Sequence, residues 1–323
     1  MKLKTLDEWF EDFFSYREAF KMSTSTKRVL NSFVNWCHKY YSDEIYLTQE
    51  MVDAWSVQHA NEKNTTLASR VSAINAFLRH INDRGGTFKY AEHGRVEVST
   101  PKIITEPEFR NVLRAADEMV TVPKSHKYYL RYMTAALVMP VLIRLMYSSG
   151  IRPPEARLLQ RDNVDFESAL LYVRQGKGYN EHIVALDYGV CDLLRVYDAK
   201  MNKLFPNRVA FFCREDGDFI TADSLNHTWR RLFTKYNGDT RQDDEKIGVT
   251  LYSLRHNYAT FNLDRLPEND KDKEVRMVAI SKSMGHKSVE NTIKYYYHLT
   301  AESDRLLDTL MGDTFDSILP DID

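Results

Sequence analysis

The sequence predicts a mainly α-helical protein in two parts, a small N-terminal helical domain and a larger, mostly helical domain that carries a small β-hairpin. Three observations support this. Apolar residues recur at spacings of three and four along most of the chain, the period of a helix with one buried face. The 323 residues include only 12 Gly and 9 Pro, with 43% apolar and 28% charged side chains, a balance that favours compact helical packing over disorder. A single passage, 170–186, reads as strands about a glycine-rich turn. At roughly 150 residues per domain the length suits two domains, each large enough for its own core.

Leu6, Trp9, Phe10 and Phe13 mark the first helical period, and Val29, Phe33, Trp36, Cys37 and Tyr40 the second. Met51, Val52 and Trp55 mark the third, and Val71, Ile74, Phe77, Leu78 and Ile81 the fourth. Four short helices are expected, the last three capped by Ser25 or Thr26, by Thr48, and by Thr65 or Thr66. Residues 87–102 are polar and weakly periodic, which ends the first domain at 95 and places a linker at 96–102. The second domain, 103–323, begins with Thr105, Glu106, Pro107 and Glu108, a cap followed by a proline in the first turn. Helices then dominate, except for strands at 170–174 and 182–186 joined by Gln175, Gly176, Lys177 and Gly178. Near the end, Leu306, Leu307 and Leu310 lie among Glu302, Asp304, Arg305 and Asp308, the pattern of an amphipathic helix over 301–311.

Cys37, Cys191 and Cys213 are odd in number and far apart, which suits neither a disulfide framework nor a paired-cysteine zinc site and points to a reducing cytoplasm. No apolar run approaches the ~20 residues of a membrane span, and charges interrupt the start of the chain where a secretion signal needs an apolar stretch. A cytoplasmic protein without a membrane partner is expected. The net charge of -2 offers no overall basic footprint, but Asp313, Asp316, Asp321 and Asp323 crowd the C-terminal end and hide any basic face elsewhere in the sum.

Four separated pieces carry potential chemistry: Gly150, Ile151 and Arg152 with Glu155; Gly176, Lys177 and Gly178; Tyr252 with Arg255 and His256; and Gly285 and His286 followed by Tyr295, Tyr296 and Tyr297. Each alone is ordinary. In this order they resemble the catalytic domain of the tyrosine recombinases, the lambda-integrase family, from about 102 to the end. That family has an arginine box, a lysine in a β-hairpin, an H-x-x-R-H box, a G-H box, and a tyrosine nine or ten residues after the last histidine. Counting from His286 gives Tyr295 or Tyr296. The run Thr292 to His298 resembles the ending of conjugative-transposon integrases, which favours Tyr296 as nucleophile with Tyr295 as the alternative. One departure stands out: the first histidine of the H-x-x-R-H box is Tyr252, a phenol of reference pKa near ~10 and a poor base at neutral pH.

The resemblance implies a site-specific recombinase or integrase that cuts and rejoins DNA through a 3′-phosphotyrosyl intermediate. Attack on a phosphodiester builds negative charge on nonbridging oxygens, which fixed cations stabilise. Arg152 and Arg255 supply planar forks of donors that keep their charge. Lys177 suits the general acid for the leaving 5′-oxygen, and His286 a donor to a nonbridging oxygen. Glu155 and His256 would support the arginines. Neither metal nor cofactor is required, since the phosphotyrosyl bond conserves the energy of the broken linkage. In the first domain, Lys63, Thr65, Thr66, Ser69 and Arg70 begin the fourth helix with groups suited to DNA phosphates, and the resemblance makes this the core-binding domain of a C-shaped clamp around DNA. Expected partners are double-stranded DNA with inverted-repeat core sites and further copies of the chain, mainly monomeric when free and tetrameric on DNA. A protein associated with the nucleoid when bound, acting for a mobile element, fits this picture. Two other readings share the constellation: a non-catalytic DNA-binding relative, and a type IB topoisomerase that nicks and religates.

Overall fold

The computed structural model describes residues 4–18, 22–94, 102–174, 181–238, 248–264 and 273–286. The chain divides into two compact units, Met1–Ser99 and Thr100–Asp323.

The first unit holds α1 (Leu6–Glu18), α2 (Thr24–Tyr40), α3 (Gln49–Ser56) and α4 (Asn64–Asn82). Helix α4 contacts each of the other three, and Phe13, Leu30, Phe33, Cys37, Met51, Val52, Ile74 and Phe77 form a core in which periodic apolar faces meet. The caps differ from expectation at two ends. Thr48 caps α3, but Ser23 caps α2 by accepting from Thr26 N–H at 3.1 Å, which puts Ser25 and Thr26 in the first turn. Helix α4 starts at Asn64 behind Lys63, which makes no side-chain cap, so Thr65 and Thr66 also lie inside the helix. The polar stretch that follows is held by amide side chains acting as surrogate backbone. Asn75 both donates to and accepts from Ala91, and Asn82 does the same with Phe88, all at 2.8–2.9 Å.

The second unit contains α5 (Glu106–Asp117), α6 (Tyr129–Ser149), α7 (Pro153–Arg157), a 3-10 turn (Arg161–Asn163), β1 (Val164–Asp165), β2 (Leu170–Val173), β3 (His182–Ala185), α8 (Tyr188–Leu204), α9 (Ala222–Asn237), α10 (Leu251–Asp264) and α11 (Lys273–Ser283). Thr105 caps α5: Glu108 Oε2 accepts from both its backbone N–H and its hydroxyl, at 3.0 and 2.9 Å. The sheet is antiparallel in the order β1-β2-β3, with Leu171 opposite Val184 and Val173 opposite His182. The two expected strands are present. The two-residue β1, too short for alternation to reveal, adds a third.

Helix α6 is the centre of this unit, contacted by α5, α7, α8 and α10. It also corrects one expectation, because its 21 residues are long and apolar enough, by length and composition only, to cross a membrane. Its apolarity is accounted for by the core: Val138, Met139, Val141, Leu142, Ile143, Leu145 and Met146 are all buried there. Residues 175–180, where the turn with Lys177 is expected, and 287–323, which include Tyr295, Tyr296 and the expected helix at 301–311, lie outside the described residues.

Candidate active site

The site is built where α6 ends. Gly150 terminates the helix in the left-handed region at φ +63, and a Cβ there would fall 2.3 Å from the Tyr258 ring, so conformation and space both require glycine. The chain then turns into α7, with Arg152 as its N-cap residue and Pro153 behind it. Glu155 folds back on that turn. Its Oε2 accepts from Arg152 N–H at 2.9 Å and its Oε1 from Arg152 Nη1 at 2.6 Å. Glu155 is 1% exposed and Arg152 19%, so the carboxylate is sealed in while the guanidinium keeps an open side. Arg152 Nη2 also donates to Gly285 O at 3.0 Å.

Arg255 reaches the same place from α10 and is buried. It donates through Nη1 to Gly150 O at 2.7 Å and through Nη2 to Met284 O at 2.6 Å. Arg255 Nη2 lies 2.7 Å from His286 Nε2. A guanidinium only donates, so Nε2 accepts, which leaves the imidazole neutral with its proton on Nδ1. The electrostatics agree. Burial, with Arg255 and Arg152 beside the ring, pushes His286 down to about 4, and burial with Arg255 does the same for His256, also to about 4.

Arg152, Glu155, Arg255 and His286 are thus brought together across 134 positions of sequence by two glycine-marked turns, at Gly150 and Gly285 (φ +64). Tyr252 lies one turn before Arg255 on α10 and is 42% exposed. Partial burial raises its phenol pKa; Arg152 and Arg255 oppose this, while Glu155 adds to it. The group in the histidine position is therefore protonated at neutral pH.

Two residues that the sequence did not single out complete the surroundings. His182, on β3, lies 3.9 Å from Glu155 Oε2, and Tyr258 packs over Gly150. Strand alternation, which sets His182 on the inward face of Val184, is the signal that could have found it.

The expected DNA contacts of the first unit separate into two groups. Lys63, Thr65, Thr66 and Ser69 are exposed, with Ser69 Oγ donating to Thr65 O at 2.9 Å. Arg70 corrects the expectation. Its guanidinium is buried, donates to both carboxylate oxygens of Glu62 at 3.0 and 2.7 Å and to Val57 O at 2.9 Å, and also bonds Trp55 O. It is a tie inside its own unit rather than a phosphate contact. Among the described residues no cluster of metal ligands occurs.

Residues 102–303 match the phage integrase family. The chain belongs to this family of tyrosine recombinases. Its activity is site-specific DNA recombination, in which a tyrosine cleaves the strand. The putative integrase/recombinase y4rB of Sinorhizobium fredii is 24% identical over 261 residues, covering 79% of this chain and 81% of that protein. A tyrosine recombinase of Thermosipho africanus is 24% identical over 301 residues, covering 90% and 94%. In fold, the Tn1549 transposon integrase in complex with transposon right end DNA superposes with a TM-score of 0.63 at 16% identity, covering 95% of this chain and all of that one at 100%. The mainly helical architecture with one small antiparallel sheet is the fold these recombinases share.

Proposed function

We propose that Arg152, Arg255 and His286 hold the scissile phosphate while Tyr296 attacks it. The observation that carries this reading is the convergence of two guanidiniums and a neutral imidazole, fixed by the carbonyls of Gly150, Met284 and Gly285. The tyrosine oxygen forms a bond to phosphorus and gives up its proton to water, the bond from phosphorus to the 5′-oxygen breaks, and Lys177 supplies the proton to that leaving oxygen. Attack by a free 5′-hydroxyl reverses the step and rejoins the strand. Glu155 orients Arg152, and His256 supports Arg255. Tyr252 donates a hydrogen bond to the phosphate instead of accepting the nucleophile's proton, as its raised pKa favours.

The first unit, with Lys63, Thr65, Thr66 and Ser69 exposed at the start of α4, serves as the core-binding domain, and residues 103–323 as the catalytic one. The partners are duplexes with inverted-repeat core sites, on which four copies assemble from a mainly monomeric pool. The XerH recombinase bound to a palindromic difH substrate and a lambda integrase tetramer bound to a Holliday junction, at TM-scores of 0.58 and 0.56, support that reading. Likeness to the Tn1549 transposon integrase supports a role in moving a mobile element, and buried free cysteines suit a reducing cytoplasm.

The test is covalent capture on duplexes drawn from the DNA flanking the reading frame, nicked close to the cleavage point. Wild type should form a denaturant-resistant adduct, and Tyr296→Phe should bind the same DNA without forming one. Loss of adduct in Tyr295→Phe with retention in Tyr296→Phe would move the nucleophile by one residue. Adduct formation by both would refute this assignment.

A further inference from the structure

Arg152 is held by two groups, the Glu155 carboxylate and the Gly285 carbonyl. One side chain braces both. His182 opens β3 opposite Val173, and the alternation that buries Val184 turns its ring to the same inward face. That ring is 6% exposed, with Nε2 3.9 Å from Glu155 Oε2. It also presses on Gly285 so closely that a Cβ there would come within 2.6 Å of Nδ1 and 2.7 Å of Cε1. A side chain at 285 is thereby excluded, and the turn that presents the Gly285 carbonyl, Met284 carbonyl and His286 ring is seated directly on His182.

We propose that His182 is a positioning residue for strand cleavage: it fixes the two supports of Arg152 and couples them to strand β3. The proposal rests on reading Arg152 as a phosphate-binding group. Imidazole suits the task for two physical reasons. Its flat ring fits the space over a glycine, and its polar edge faces a buried carboxylate whose charge needs compensating neighbours. Helix α11, which leads into the Gly285 turn, packs on β3, so this strut lies where strand and helix meet. Displacing it would shift Glu155, Gly285 and the guanidinium between them together.

The experiment is single-turnover adduct formation by the full chain on the nicked duplex, with DNA affinity measured in parallel. His182→Ala should cleave about 10- to 100-fold more slowly, the effect of an ångström-scale misplacement, while binding DNA as wild type does. His182→Gln, which keeps a polar edge, should recover part of that loss. In an Arg152→Lys background His182→Ala should cost far less, because the geometry it protects is already gone. Gly285→Ala should be slow, and adding His182→Ala should restore part of its rate by removing the ring the new methyl strikes. His182→Ala cleaving at the wild-type rate, or costing as much in Arg152→Lys as in wild type, would overturn the proposal. If His182→Ala fails to fold, the same comparison with His182→Gln decides. Arg152→Lys cleaving like wild type would instead refute the role given to Arg152.

Discussion

Each unit contains an arginine locked to a buried glutamate, and the two pairs differ in what surrounds them. In the first, Arg70 and Glu62 form a two-oxygen pair, and the carbonyls of Trp55 and Val57 take further donors of the same guanidinium. The charges cancel and the group faces inward. In the second, Arg152 is fastened to Glu155 just as tightly but keeps an open side, and Arg255 brings a second guanidinium to the same turn, where the Gly285 carbonyl takes one and the Met284 carbonyl the other. The carbonyls of Gly150 and Met284 hold Arg255 in place. A salt bridge alone therefore does not tell the two arginines apart; the open side that Arg152 keeps, with a second guanidinium fixed at the same turn, does.

The largest effect that would sharpen this contrast is on stability. Arg70→Ala leaves Glu62 buried without its partner and should cost the first unit about 3–5 kcal/mol in denaturant unfolding. A loss within 1 kcal/mol, by about the worth of an exposed pair, would show that Arg70 is not the tie described. Gly150→Ala should come next, costing about 1–2 kcal/mol for the left-handed backbone alone, with a further loss as the methyl strikes Tyr258. Because Gly150 O also holds Arg255, that variant should lose cleavage as well as stability.

The pH dependence of the second unit follows from His286 and His256. Both have folded-state pKa values near 4, below the ~6.5 of the unfolded chain, so between those values the unfolded state binds more protons. Stability should be level above pH ~6.5 and fall as pH drops toward 4. His256→Gln should flatten that slope, as read by denaturation midpoints across the window. An unchanged slope would mean that His256 titrates normally. The smallest effect concerns Tyr252: its replacement by Phe should slow cleavage about 2- to 10-fold, the net worth of one hydrogen bond, while Tyr252→His should match or exceed wild type.

The parts of this molecule legible in the sequence are those governed by local pattern. Periodicity located α1 to α4, the cap followed by proline located the start of α5, and residue type located β2 and β3. The motif order picked out Arg152, Glu155, Arg255 and His286, which the structure brings together. What stayed hidden depends on partners distant in sequence. Arg70 looked like a phosphate ligand because nothing local announces that Glu62, Trp55 and Val57 will enclose it. Ser23, rather than Ser25 or Thr26, caps α2 because its backbone is the extended one from which its hydroxyl reaches Thr26 N–H, while the helix already holds the other two. His182 reads as an ordinary strand residue until Glu155 and Gly285 close over it.

The account stands on the two guanidiniums fixed at one turn, Arg152 and Arg255, and single-turnover adduct formation tests that most directly. Arg152→Ala and Arg255→Ala should each cleave on the order of 10²-fold or more slowly, with DNA affinity falling far less. Arg70→Ala, measured under conditions where it remains folded, should cleave at the wild-type rate per folded molecule. Cleavage by Arg152→Ala or Arg255→Ala within a few-fold of wild type would contradict the account.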